Sequence, residues 1–320
     1  AEMIETIRFR NDTVTRKRLM VADSFQHPAK GQLGMWATMI ERYSQPGKTV
    51  LDPMAGSGAT LLAALMGRNV VCNEMEAHFV DPMRRSWEKM RQMPMLGYEI
   101  GSVVILQGDA RCLPLVSADV VITSPPYEHQ LHPNSDTADS VNSIAWADPK
   151  KVGVSPHSQF RAISGYTRPQ VDAIVTSPSY EGTNVGRSES LGEVPFGGPN
   201  SQARGVEYGR GNSANVGNQR GQAYWDSMAR IYAECWRVLR PGGIMALVLK
   251  GFTRDGNYVD LPGQTEAMLL EAGWLKHDHW RRELWSLSFW RTLQKLRDPQ
   301  AFDNRLMFEE VLAFKKAECP

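Results

Sequence analysis

The stretch that most narrows what this chain can fold into is residues 48–76, KTVLDPMAGSGATLLAALMGRNVVCNEME. A short apolar run, a glycine-containing turn, an apolar helix and a second apolar run closing on acids follow one another. That order is a β-α-β unit, which implies parallel strands joined by a right-handed crossover. The same alternation extends on both sides. Residues 27–44 place Leu33, Trp36, Ile40 and Tyr43 at helical spacing. A helix over 79–93 leads to a strand at 102–107, which ends in Gly108-Asp109-Ala110, and a strand at 118–123 ends in Ser124-Pro125-Pro126-Tyr127. Alternation of this kind predicts an α/β fold with a doubly wound, mostly parallel sheet.

The chain has 320 residues, 42% of them hydrophobic, enough for one sizeable α/β core and an insertion. From about residue 128 to 221 Gly, Ser, Asn and Pro dominate, periodicity is weak, and eight basic residues face nine acidic ones. This reads as a long insertion, partly mobile, of the kind that is functional or disordered when it interrupts a compact domain. Order resumes with a helix in which Trp225, Met228, Ile231, Tyr232, Cys235 and Leu239 mark one face and Pro241-Gly242-Gly243 ends it. A strand, IMALVLKGF, follows. The tail holds a helix at 261–272, a Trp/Arg-rich stretch at 280–291, and a closing strand in LMFEEVLAFKK. The division is therefore 1–127 as the ligand-binding half of the core, 128–221 as the insertion, and 222–320 as the rest of the core.

A net charge of +1 leaves any nucleic-acid contact to local clusters of Lys and Arg. Cys72, Cys112, Cys235 and Cys319 are far apart, with no C-x-x-C pair, so neither a zinc cage nor a disulfide framework is expected. Of the histidines only His129/His132 and His277/His279 are close, without a third ligand, so no metal is expected. No apolar run reaches the roughly 18–20 residues a bilayer requires, and the N-terminal residues lack the apolar core of a signal peptide. A reducing cytoplasm is the natural setting.

The turn Asp52-Pro53-Met54-Ala55-Gly56-Ser57-Gly58 lies between strand and helix, where small residues let a ligand approach backbone N–H groups. A dinucleotide fold would carry G-x-G-x-x-G; here an acid opens the turn and Glu74 closes the next strand. That acid suits the two ribose hydroxyls of an adenosine. Asp109, flanked by Gly108 and Ala110 at the end of the third strand, suits an adenine amino group.

These motifs together resemble the class I S-adenosylmethionine-dependent methyltransferases, specifically the DNA amino-methyltransferases, over about residues 25–316. The resemblance implies a Rossmann-like methyltransferase fold, S-adenosylmethionine as cofactor and DNA as partner. It places the Asp52–Gly58 turn by the cofactor's methionine moiety and Glu74 on its ribose. His27-Pro28-Ala29 is similar to the family's His-Pro-Ala element, assigned to the methionine end.

A base amino group is a poor nucleophile because its lone pair is delocalised into the ring, so an enzyme must hold its protons and favour a pyramidal nitrogen. Ser124-Pro125-Pro126-Tyr127 answers that need at the C-terminal end of a strand, where open α/β sheets bind ligands. Prolines stiffen the turn, the Ser124 hydroxyl and Pro125 carbonyl serve as fixed acceptors, and Tyr127 stacks on an extruded base. By resemblance Thr-Ser-Pro-Pro-Tyr is most typical of cytosine-N4 enzymes, with adenine N6 second. No cysteine follows a proline, so the covalent attack of cytosine-C5 enzymes is not expected.

Residues 171–180, VDAIVTSPSY, repeat the pattern of 118–127, ADVVITSPPY. The first copy is the favoured fourth strand because it keeps both prolines and follows Asp109 closely. The second is either a duplicated structural strand or part of the base pocket. Arg187, Arg204, Arg210 and Arg220 in the insertion are candidates for gripping DNA, against a plain solvated loop. The interleaved aromatics and cations from Trp280 through Trp285 and Trp290 to Arg291 suit single-strand binding or, more ordinarily, core packing. Three further readings compete: adenine-N6 methylation, RNA guanine-N2 methylation, and a catalytically silent nucleic-acid-binding protein. A cognate restriction endonuclease is a conceivable partner; the oligomeric state is open.

Overall fold

The computed structural model describes residues 3–27, 30–93, 99–114, 121–123, 173–176, 215–219, 221–254, 257–284, 295–298 and 302–317. Pro28 and Ser124, Pro125, Pro126 and Tyr127 lie outside them. So do residues 177–180, the four insertion arginines, His129, His132, Trp285, Trp290, Arg291 and Cys319.

Three parallel strands form the half of the sheet that carries the glycine turn: β2 (Thr49–Met54), β3 (Asn69–Glu74) and β4 (Val103–Gln107). β2 and β3 are buried nearly throughout, as strands covered on both faces must be. Asp52 lies opposite Cys72, and Glu74 opposite Gln107, so the ends of the three strands form one rim. On the other side of β2 come β5 (Val121–Thr123) and β6 (Ala173–Thr176), each parallel to β2 and to β7 (Ile244–Leu249). β6 falls within residues 128–221 and joins the core sheet.

The tail completes the sheet: β11 (Phe308–Lys315) runs antiparallel to β7, and β10 (Leu275–Glu283) antiparallel to β11. β1 (Glu5–Ile7) then pairs parallel with β10 at the edge, giving the order β1-β10-β11-β7-β5-β2-β3-β4. Neither β1 nor β10 is evident from sequence pattern. Phe252–Arg254 (β8) and Asn257–Val259 (β9) form a separate hairpin. The architecture is the expected α/β fold with a mostly parallel sheet.

Around it lie α1 (Thr13–Leu19), α2 (Leu33–Tyr43), α3 (Leu62–Leu65), α4 (Ala77–Met90), α5 (Gln222–Val238) and α6 (Leu261–Glu271). All four residues of the α2 stripe, Leu33, Trp36, Ile40 and Tyr43, are buried. Gln32 starts that helix, its side chain accepting from the Met35 N–H. In α5 the buried face carries Tyr224, while Trp225 is only half-buried. The apolar helix expected after the glycine turn is short, a 3-10 turn at Ala59–Leu61 running into α3 and closed by Gly67 at φ 80°.

Trp280 is wholly buried, which assigns this one of the tail tryptophans to the core. Its indole N–H donates to the Tyr43 hydroxyl, which donates in turn to Asp278, tying α2 to β10. Arg282 and Glu309 form an ion pair at 2.6 Å between β10 and β11. No helix among the described residues is long and apolar enough to cross a membrane.

Candidate cofactor and base site

The turn after β2 is shaped by two residues in the left-handed region, Gly56 (φ 51°) and Gly58 (φ 78°). Each is also crowded. A Cβ on Gly56 would sit 2.8 Å from His27 Nε2, and one on Gly58 would sit 2.7 Å from Met83 Cγ. Conformation and contact therefore both demand glycine. His27 is buried and packs edge-on against Phe79, the ring centroids 4.4 Å apart. The segment before α2 and the cofactor turn are thus one packed unit, with the His27 ring against Gly56. Lys30 holds that segment, donating to the carbonyls of Phe25 and His27.

Asp52 faces inward. It is 1% exposed and accepts hydrogen bonds from the Thr60 hydroxyl and the Met54 N–H, and burial pushes its carboxyl well above the usual carboxylate range. It braces the turn from beneath. Ala55 is buried, and its N–H donates to the Asn73 carbonyl, continuing the ladder into the turn beyond Pro53.

Glu74 holds the turn from the other side. Its Oε2 accepts the Gly56 N–H at 2.8 Å and its Oε1 accepts the Glu76 N–H at 2.9 Å. Burial pushes it up to about 7 from an ordinary 4.5, with the backbone N–H groups of Glu76, Gly56 and Met75 opposing that rise. A carboxylate offers about four acceptor positions, so capacity for a further donor remains. Asp109 is differently engaged. Its two oxygens accept from the Arg111 side chain, at 2.6 Å in the closest contact, and Oδ1 also accepts the Arg111 N–H. Ala110 beside it is buried.

Sequence reasoning missed the residue that joins these ends. Asn73, fully buried, donates from Nδ2 to the carbonyls of Pro53 and Gly108, both at 3.0 Å. One side chain on β3 therefore straps the exits of β2 and β4. Gly108 is required there, since a Cβ would meet Asn73 Oδ1 at 2.8 Å. Asn215, at the end of the insertion, was missed too: it donates to Glu76 at 2.9 Å and accepts the Gly217 N–H, bringing buried Val216 to the Glu74–Glu76 corner. An asparagine closing an apolar run beside an acid was the available signal for Asn73; nothing in the sequence marked Asn215.

The structure therefore brings together His27, Asp52, Pro53, Ala55, Gly56, Gly58, Glu74, Asp109 and Ala110. β5 reaches the same rim: Thr123 lies opposite Met54, one residue before Ala55. Among the described residues no group of three His, Cys, Asp or Glu is placed to hold a metal.

Residues 7–85 match the family of N6 and N4 methyltransferases described as DNA methylase. The matched segment includes the Asp52–Gly58 turn and Glu74 and stops before Asp109 and Ser124. A search of curated proteins found no match. Among solved structures, an S-adenosylmethionine-dependent methyltransferase from Methanosarcina mazei is 13% identical, with 88% of this chain and 97% of that one covered and a TM-score of 0.42. A methyltransferase from Pyrococcus furiosus is 11% identical over 90% and 84% of the two chains, TM-score 0.42. The [4+2]-cyclase SpnF is 13% identical over 92% and 84%, TM-score 0.45. Likenesses at this level carry nothing about chemistry.

Proposed function

We propose that this chain is an S-adenosylmethionine-dependent methyltransferase acting on an exocyclic amino group of a DNA base, cytosine N4 ahead of adenine N6. The observation that carries the reading is the pairing of Thr123 with Met54. The strand that leads into Ser124 ends beside the strand that leads into Ala55-Gly56, on the rim that also holds Glu74 and Asp109. The match of residues 7–85 to the DNA methylase family supports DNA as substrate.

The cofactor supplies an electrophilic methyl group on sulfonium sulfur. The Gly56 turn and His27, with Pro28, receive its methionine end, and Glu74 accepts from the ribose through the acceptor capacity its backbone N–H bonds leave open. Asp109 meets the adenine amino group, with Arg111 yielding one of its contacts. Ser124 and the Pro125 carbonyl accept the amino protons of the target base and Pro126 keeps the turn stiff. Tyr127 stacks on the base, worth about 1–3 kcal/mol and offsetting part of the cost of extruding it. The insertion's arginines contact DNA phosphates. A cytoplasmic setting and service beside a restriction endonuclease fit this reading.

Incubating duplex DNA with methyl-tritiated cofactor and analysing the nucleosides tests it. N4-methylcytosine is expected. N6-methyladenine would move the choice of base, label in RNA guanine would transfer the reading to RNA, and binding of cofactor without label in any nucleic acid would overturn catalysis.

A further inference from the structure

β1 runs in the same direction as the parallel strands: it is parallel to β10, β10 is antiparallel to β11, and β11 is antiparallel to β7. The chain therefore leaves β1 at the ligand edge of the sheet, the edge at which β2 runs into the Gly56 turn, and α1 follows after a short loop. The inner side of α1 is anchored. Arg16 is buried and donates to Asp12 and to the Gly31 carbonyl, and Asp12 also accepts the N–H of Leu33 at the start of α2. Lys89 of α4 donates to the carbonyls of Lys17 and Met20. Gly31 lies four residues past His27, whose ring packs on Gly56, so α1 is fixed beside the cofactor segment.

The outer side of α1 is charged. Val14, Lys17 and Arg18, at i, i+3 and i+4, share one face of the helix, and all three are exposed. Arg10 is exposed just ahead of the helix, as are the polar residues Asn11, Thr13 and Thr15. Among the described residues the side chains of Arg10, Lys17 and Arg18 have no ion-pair or hydrogen-bond partner. Neighbouring cations do: Arg8 pairs with Glu283, and Arg85 of α4 with Asp23 and Asp81. Composition concentrates charge at the same place. Residues 8–18 hold five basic residues and one acid in a chain of net charge +1, whereas residues 128–221 set eight basic residues against nine acids. Cations that no acid neutralises, interspersed with hydroxyl and amide groups, complement a run of phosphates.

We infer that the outer face of α1, together with Arg10, grips the phosphates of duplex DNA beside the target base. DNA as the occupant rests on the proposed function; the affinity of this face for a phosphate backbone rests on its charge and placement alone. A base extruded into the ligand edge brings its flanking phosphates to that edge. A helix tied to α2, α4 and the His27 segment holds them in register with the cofactor turn, since phosphate contacts position a duplex without reading its sequence.

The full chain carrying Arg10→Gln, Lys17→Gln and Arg18→Gln tests this, with duplex binding followed by fluorescence anisotropy from about 50 to 200 mM salt. Each lost phosphate contact removes about 0.9 from the slope of log affinity against log salt, so the triple variant should lose about 2–3 from the wild-type slope. The loss should be the same for duplexes of unrelated sequence. Cofactor affinity and melting temperature should match wild type, because the three side chains brace nothing. Lys48→Gln, which removes an exposed cation just ahead of β2 and so at the opposite edge of the sheet, should leave the slope unchanged. An undiminished slope in the triple variant, an equal loss per charge in Lys48→Gln, or a wild-type chain that binds no duplex DNA would overturn the inference. Tighter binding of duplex RNA, lost in the same variant, would overturn DNA as the occupant. DNA binding with the expected slopes but no methyl transfer sinks the proposed function and leaves the phosphate surface intact.

Discussion

The two halves of the sheet hold themselves together by different means. β2, β3 and β4 end in a rim of polar groups whose partners are largely backbone: Asn73 on two carbonyls, Glu74 on backbone N–H groups that include those of Gly56 and Glu76, Asp52 on Thr60 and the Met54 N–H. β7, β11 and β10 are held by ladder pairing, with packing around Trp280, Val311, Leu312 and Phe314 and side-chain ties such as Tyr43 to Asp278. The contrast separates rigidity at a ligand rim from bulk stability. Backbone partners fix where a loop lies; apolar burial decides how firmly the domain stays folded.

Trp280→Ala should show the largest effect on stability, about 3–5 kcal/mol by denaturant unfolding, as for other large aromatic deletions in a core. Cofactor affinity of the folded fraction should hardly change. A matching loss of affinity would erase the division between the halves. Gly56→Ala is the converse, putting a side chain at positive φ and against His27. Strain of about 1–3 kcal/mol is expected, with cofactor binding weakened at least about tenfold in calorimetry because the turn must shift.

Glu74→Gln should weaken the cofactor by about 1.5–3 kcal/mol, the size expected when a hydrogen bond to a charged group is lost. It also removes a pH dependence. Ribose hydroxyls donate to the carboxylate, so wild-type affinity should rise as pH climbs through about 7, where Glu74 ionises. The unliganded protein should show the opposite trend in stability. Between 4.5 and about 7 the folded chain keeps a proton that the unfolded chain has released. Stability is therefore full below 4.5 and falls with rising pH across that window, by up to about 1.4 kcal/mol per pH unit. A flat wild-type profile, or a slope retained in the Gln variant, would show that Glu74 is not the group responsible. Thr60→Ala, which removes one donor to buried Asp52, should cost about 1–3 kcal/mol in stability and have the smallest effect on affinity, which follows only as far as the turn loosens.

Legibility divides along the same line. β2, the turn, β3 and the acids Glu74 and Asp109 could be read because glycines punctuate apolar runs and acids terminate them. The α2 stripe could be read from its period. β10 could not, because LKHDHWRRE shows no apolar alternation: among its nine residues only Trp280 is fully buried. Its strand character comes from β11 and β1 on either side. Arg111 escaped notice because a cation two residues past an acid signals nothing until the loop folds it back on Asp109. The double role of Glu74, as candidate ribose acceptor and as anchor for Gly56, belongs to the same class of contact, made only when two strand exits meet.

β1 has a consequence for how the chain matures. Glu5, Thr6 and Ile7 lie beside Trp280, Arg281 and Arg282, so this strand waits for one synthesised 275 residues later before that edge is satisfied. During synthesis β1 must stay unpaired from β10 while β2, β3 and β4 are already made, and pairing across such a sequence separation is slow. The rim around Gly56 can therefore take shape while the ribosome still holds the residues that will close the sheet.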